Sequence, residues 1–282
     1  MAGEPRFWGL RRRMLDLLHR LHLAHPAVRL YELAVASKSR LRRTQPERSD
    51  GLPLPPARLR VQVGPPHADA DFFLRSGRDQ ADIVRTLLRE DGSPLETVDA
   101  LLDWGCGCGR ILRHWSDLTR TRVVGCDINP KMVEWCAEHL PFAEVFVNDI
   151  APPIPYPDES FDLVYGFSVL THLDVDLQHA WSQECFRVLK PRGYFLFSTM
   201  GEHYLSAGRL NDSERRRFAN GDVVVLYEGA PGTSLCSAYH PPEYVRDRLA
   251  SDYEFVTSRP AIDYGRHDVH LFRKPALTRA AI

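Results

Sequence analysis

Apolar residues change their spacing along the chain. From Phe7 to Val35 they recur at helical intervals: Leu10, Met14, Leu17, Leu18 and Leu21, then Leu30, Leu33 and Ala34. Pro26 is expected to break or restart that helix. Lys38 to Pro66 holds Pro46, Pro53, Pro55, Pro56, Pro65 and Pro66 among Arg, Ser and Gly, and reads as a linker. Helical spacing returns from Ala70 to Glu90, with Phe72, Phe73, Ile83, Val84, Leu87 and Leu88 on one face. After Val98 short apolar runs alternate with helical stretches. Strands are predicted at Ala100–Trp104, Arg122–Asp127, Glu144–Asn148, Phe161–Phe167, Gly193–Ser198, Tyr253–Ser258 and Val269–Arg273. Helices are predicted at Arg110–Leu118, Pro130–His139, Leu177–Leu189 and Pro242–Ala250. That alternation implies parallel strands joined by right-handed crossovers, hence an α/β doubly wound sheet. Residues 200–240 interrupt the rhythm and read as an insertion on the substrate side. The organisation expected is an N-terminal extension and linker over 1–66, then one domain over 67–282.

Composition narrows the class. An apolar fraction of 44% and a net charge of -1 over 282 residues exclude a chain disordered throughout. No run of about 18 apolar residues lacks charges, so a membrane-spanning helix is not expected. No secretory signal is recognisable, and six well-scattered cysteines fit reduced thiols in a cytoplasm. Charge is uneven: residues 1–60 hold 13 Lys and Arg against 5 Asp and Glu, and the remainder is acidic. Arg11, Arg12, Arg13 and Arg20 make the first helix basic and amphipathic. A lid or dimer contact through residues 6–35 is preferred to a helix lying on a membrane surface, which would make the protein peripheral.

The chemistry concentrates at Asp103-Trp104-Gly105-Cys106-Gly107-Cys108-Gly109-Arg110, where a strand ends and a helix is expected to begin. Glycines there admit a cofactor to the backbone, and a helix start offers free N–H donors. Eighteen residues past Gly109, Asp127 ends the second strand and can accept from both hydroxyls of a ribose. The dinucleotide fingerprint requires glycine at its sixth position, which is Arg110 here, so an NAD-dependent enzyme is disfavoured.

The Asp-x-Gly-x-Gly-x-Gly pattern resembles the first motif of the class I, S-adenosylmethionine-dependent methyltransferases. The resemblance extends through Asn148-Asp149, through Phe161 to Ser168, and through Arg187-Val188-Leu189-Lys190-Pro191-Arg192-Gly193, from about Phe73 to Arg273. Arg192 departs from the usual Pro-Gly-Gly of that last turn. The resemblance implies a seven-stranded, mostly parallel Rossmann-like sheet with S-adenosylmethionine as cofactor and S-adenosylhomocysteine as product. It implies that Asp103 holds the loop or the methionine amine, and that the backbone of Gly105, Cys106 and Gly107 faces methionine and ribose. Asp127 would bind the ribose hydroxyls, with Ile128 packing on the adenine. Asn148 or Asp149, beside Ile150, would bond the adenine amine, and Phe167 and Ser168 would line the methyl end. Phe73, Gly77 and Arg78 would close over the methionine carboxylate, an arginine suiting that group because its fork bonds it bidentately.

Methyl transfer needs alignment and exclusion of water, and a hydroxyl acceptor also needs a base. His172, after the fourth strand, is the first candidate, followed by His203, Tyr204 and His240, with Tyr244 near them. Cys106-x-Cys108 lacks metal-ligand spacing, and His19, His22 and His25 lack a further ligand, so no metal is expected. No nucleic-acid module or Asn/Asp-Pro-Pro-Tyr signature is present. The expected reaction is O-methylation of a small-molecule or sugar hydroxyl, as in natural-product biosynthesis. The alternatives are N- or C-methylation of another metabolite, or a non-catalytic cofactor-binding scaffold.

Overall fold

A computed structural model describes residues 51–206 and 209–276, together with Leu18, Leu30, Ala34, Val35 and Ser37. The N-terminal arginines and the row from His19 to His25 lie outside the described residues. Leu18 packs on Ala230 and Leu235, and Val35 on Ala57, Val61 and Ala68.

The strands are β1 (Ala100–Trp104), β2 (Arg122–Asp127), β3 (Ala143–Val147), β4 (Phe161–Gly166), β5 (Leu189–Thr199), β6 (Val224–Leu226), β7 (Ser237–Tyr239), β8 (Glu254–Asp263) and β9 (His267–Arg273). Seven form one sheet in the order β3-β2-β1-β4-β5-β9-β8. β1 to β5 pair in parallel, and β9 runs antiparallel between β5 and β8. The order reverses between β1 and β4, so the crevice of this open sheet lies at the carboxyl ends of those strands.

Every residue of β1 is buried, because helices cover both faces of the sheet. Alternate side chains part accordingly: Leu101 joins Val123, Leu163 and Leu196 on one face, and Leu102 and Trp104 join Val124, Val164 and Phe195 on the other. Helices α1 (Ala57–Val63), α2 (Ala70–Glu90) and α3 (Pro130–His139) precede α4 (Val175–Val188) in the chain. Three start at side-chain caps: Asp69 accepts from Phe72 N–H, Asn129 from Lys131 N–H and Asp174 from Leu177 N–H. Truncating Trp115 or Trp181, buried on opposite faces, is expected to cost about 3–5 kcal/mol.

Three local differences from the sequence reading stand out. The stretch read as linker contains α1, whose Arg60 is buried and donates to the carbonyls of Pro55, His67 and Ala68. The helix expected at Arg110–Leu118 is only a 3-10 turn at Leu112–Trp115. Gly109 before it has a left-handed φ of 77°, and Ser116 and Asp117 after it favour turns over helix. The helix expected at Pro242–Ala250 is a short α7 (Pro242–Tyr244) running into a π turn at Val245–Leu249.

Residues 200–240 hold α5 (His203–Ser206), α6 (Asp212–Ala219) and the antiparallel pair β6–β7. A capping box between Asn211 and Glu214 starts α6. The segment returns to the sheet where His240 N–H donates to Met200 O.

Candidate active site

The turn after β1 reverses through Gly105, Gly107 and Gly109, all at positive φ. It is fastened to β2. Gly105 N–H and Cys106 N–H both donate to Cys126 O, and Gly107 N–H donates to Asp127 Oδ2 at 2.9 Å. These donors were expected to be free for a cofactor and are spent within the protein. What the turn offers instead is closeness: no side chains at the glycines, and small buried thiols at Cys106 and Cys108.

Asp103 is 2% exposed at the end of β1. Trp115 Nε1–H donates to the Tyr165 hydroxyl at 2.7 Å, and Tyr165 in turn bonds the Asp103 carboxyl. The other oxygen, Oδ2, is buried without a partner. Loss of water pushes the Asp103 pKa up to about 7, against the pull of Tyr165 and Arg110. Arg110 is itself buried, and its Nε and Nη1 also have no partner. The site thus contains an orphaned carboxylate oxygen and an orphaned guanidinium within electrostatic reach of each other. Unpaired buried charges of this kind cost several kcal/mol unless a ligand satisfies them. The ammonium and carboxylate of a bound amino acid are complementary to this pair.

Asp127 closes the second side. Its Oδ1 accepts from Asn129 N–H at 2.8 Å, so both carboxyl oxygens are aimed by backbone. Desolvation raises its pKa and those two bonds oppose the rise. Ile128 and Ile150 expose apolar side chains nearby, as a flat ring requires. Asn148 donates from Nδ2 to Asp149 O, and its Oδ1 is buried without a partner. Asp149 itself is exposed. The orphaned Asn148 Oδ1 is thus a buried acceptor with no donor.

Other expected residues fall differently. Phe73 is fully buried, edge-on to His67, and supports the site from the core without lining it. Arg78 is on the exposed face of α2. Gly77, its neighbour, packs so closely that an added Cβ would stand 2.0 Å from Arg110 O, and this contact brings α2 to the glycine turn. Arg110, which directly follows the glycine run, brings its buried guanidinium to this turn. Phe167 is buried edge-on to Tyr165, and Ser168 N–H donates to Ser198 Oγ at 2.8 Å.

Of the four base candidates, His172 is half-buried with Nδ1 2.8 Å from Cys236 O. A carbonyl only accepts, so Nδ1 carries the proton and Nε2 keeps its lone pair. Burial lowers the His172 pKa, with His267 acting in the same direction. His203 is exposed. Tyr204 is buried, its hydroxyl 3.1 Å from His267 Nε2, a partner the sequence did not suggest. His240 is a correction. It is 1% exposed, pairs with Gln178 Oε1 at 3.1 Å through Nε2, and burial drives its pKa to about 3, so it packs in the core with Nδ1 left without a partner. Tyr244, beside it, bonds His179. Among the described residues no three His, Cys, Asp or Glu side chains converge as a metal site.

The sheet, with one antiparallel strand inserted beside its last parallel pair, has the fold of the Rossmann-like methyltransferases. Residues 102–197 match the family model described as a methyltransferase domain. A probable S-adenosylmethionine-dependent methyltransferase of Mycolicibacterium smegmatis is 35% identical over 133 residues, covering 46% of this chain and 50% of the relative. The 27-O-demethylrifamycin SV methyltransferase of Amycolatopsis mediterranei is 34% identical over 163 residues, covering 55% and 58%. The chain spans about half the length of these curated relatives. A solved structure, 1,6-didemethyltoxoflavin-N1-methyltransferase of Burkholderia thailandensis, superposes with a TM-score of 0.50 at 18% identity, covering 72% of this chain and 79% of that one. The cofactor of the class is S-adenosylmethionine. Among the described residues no helix is long and apolar enough to cross a membrane.

Proposed function

We propose that this protein transfers a methyl group from S-adenosylmethionine to a hydroxyl of a small-molecule acceptor. The observation that carries the cofactor half is the orphaned pair, Asp103 Oδ2 and the Arg110 guanidinium, which suits the two charged ends of a methionine. Asp127 would take the ribose hydroxyls, Asn148 Oδ1 the adenine amine, and Ile128 and Ile150 the faces of the base. The sulfonium supplies a methyl carbon already activated by its positive charge. The chain's own contribution is to hold the donor, exclude water and remove the acceptor's proton. Neutral imidazoles near the expected methyl end that can take up a proton, His172 among them, support a hydroxyl acceptor, since an already nucleophilic carbon or amine needs less help of this kind. A relative named for O-methylation of a rifamycin supports the same choice.

The test is calorimetric titration with S-adenosylhomocysteine on wild type and Asp127→Ala, followed by an acceptor screen with S-adenosylmethionine. Micromolar binding lost in the variant, and conversion of hydroxylated acceptors, is the expected result. A folded wild-type protein that binds no cofactor would overturn the reading. Conversion of amines or carbon acids alone would overturn the hydroxyl half.

A further inference from the structure

At the carboxyl edge of the sheet, beside the site just described, lies a chain of polar groups that it does not use. β8 ends at Asp263 and β9 begins at His267, so their hairpin stands next to the residues that follow β5. Gln80 reaches from α2 and donates from Nε2 to both oxygens of Asp263, at 2.8 and 2.7 Å. His267 Nδ1 lies 3.3 Å from Asp263 Oδ2, and its Nε2 lies 3.1 Å from the Tyr204 hydroxyl. The Asp263 side chain is 2% exposed and that of His267 19%, and Tyr204 is 6% exposed.

The network fixes where the protons are. An ionised carboxylate only accepts, so the His267 proton is on Nδ1. His267 Nε2 then holds a lone pair, and Tyr204 must donate to it. The Tyr204 oxygen keeps its own lone pairs for an incoming donor. Orienting Asp263 has a cost: Gln80 Oε1 is left buried without a partner while its amide nitrogen serves the carboxylate. Burial raises the Tyr204 pKa, so a standing phenolate is disfavoured and its proton can leave only as another arrives. The Arg209 guanidinium over its ring, 5.4 Å from the centroid, favours the charge that develops during such an exchange. β9 pairs with the end of β5 at Ser198 and Thr199, and Ser168 of the loop after β4 donates its N–H to Ser198 Oγ, so the hairpin and that loop, where the methyl end is expected, meet at the same end of β5.

We propose that Tyr204 and His267, positioned by Asp263 and Gln80, form the proton-accepting relay for the acceptor hydroxyl, an inference that rests on the O-methylation reading above. The acceptor oxygen bonds to carbon as its O–H bond breaks. Its proton passes to Tyr204, and the Tyr204 proton passes to His267 Nε2, where Asp263 balances the new charge. The electron pair of the broken carbon–sulfur bond stays on sulfur.

Two measurements on the full chain test this. Long-range proton–nitrogen NMR of the imidazoles, with His267 assigned by its loss in His267→Gln, should show Nδ1 protonated and Nε2 bare. A proton on Nε2 in the wild type overturns the relay whatever the acceptor proves to be. In turnover of the phenol or sugar acceptors that wild type converts, Tyr204→Phe and His267→Gln should each lower kcat about 100-fold. Their KM and calorimetric S-adenosylhomocysteine affinity should stay within threefold of wild type. A kcat within twofold of wild type in the isosteric Tyr204→Phe overturns the proposal and leaves the methyltransferase reading intact. A wild type that binds no S-adenosylhomocysteine overturns that reading, and the relay with it.

Discussion

Gly232 of the inserted segment stands directly over Ile150. A Cβ built on it would come within 2.6 Å of Ile150 Cδ1 and 2.9 Å of Ile128 Cδ1, the two side chains assigned to the adenine. Gly232 N–H also donates to His172 O at 2.8 Å, so the same residue touches the adenine side and the loop of the candidate base. Its φ of 73° is one that other residues adopt at a cost of about 1–2 kcal/mol. Gly232→Val is therefore expected to lift the segment from both isoleucines. Affinity for S-adenosylhomocysteine should fall about tenfold, and proteolysis within residues 227–236 should quicken. Unchanged affinity would mean that the segment does not cap the nucleoside.

Arg110 and Arg78 separate two ways of holding the methionine carboxylate. Arg110 is buried with unpartnered nitrogens beside Asp103, and Arg78 is exposed on α2. Arg110→Met is expected to weaken S-adenosylhomocysteine binding by 30-fold or more. It should leave the affinity for 5′-methylthioadenosine, which lacks the amino acid, nearly unchanged. Arg78→Ala should alter neither by more than about threefold. The reverse ranking in calorimetry would return the carboxylate to Arg78.

Much of this was legible in the chain. Ala100–Trp104, Arg122–Asp127 and Ala70–Glu90 are bounded as their apolar spacing predicts, because a buried parallel strand and an amphipathic helix write their period locally. Asp103 and Asp127 were readable because each ends a strand beside a glycine turn. The rest depends on contacts between distant residues. Arg110 was in view, but its lack of partners is set by the elements packed around it, not by its neighbours in sequence. His267 pairs with Asp263 across a hairpin tip and with Tyr204 from the insertion, and no spacing announces that. α1 was hidden by Pro53, Pro55, Pro56, Pro65 and Pro66, which flank it without entering it.

Asp103 makes the unliganded protein sensitive to base. Its pKa is raised to about 7 in the folded chain, so the folded state holds a proton that the unfolded state releases at lower pH. The stability this lends is full below the unfolded carboxyl pKa, near 4, and is lost as pH rises toward 7. At about 1.4 kcal/mol per unit, the charged group above pH 7 costs roughly 4 kcal/mol without ligand. Asp103→Asn removes that titration. Its melting temperature relative to wild type should climb between pH 5 and pH 8, while its affinity for S-adenosylhomocysteine falls. A difference that stays flat with pH would show that Asp103 is ionised throughout.

Acid acts through the buried histidines in the opposite sense. Burial lowers the pKa values of His67 and His240 to about 3 and of His270 to about 4. His270 is fixed between Thr199 and Ser258, and His240 Nε2 against Gln178, so burial without a counter-charge is what disfavours their protonation. Between about pH 6.5 and pH 4 the unfolded chain takes up three protons that the folded chain refuses. Asp103 works against this by holding one proton in the folded state. These four groups together make stability fall by roughly 2–3 kcal/mol per pH unit as pH falls through that window. Urea unfolding at pH 6.5, 5.5 and 4.5 measures the slope directly. His270→Gln keeps a hydrogen-bonding side chain and cannot titrate, so it should reduce the slope by about 1.4 kcal/mol per unit. An unchanged slope in that variant would place the acid sensitivity elsewhere in the molecule.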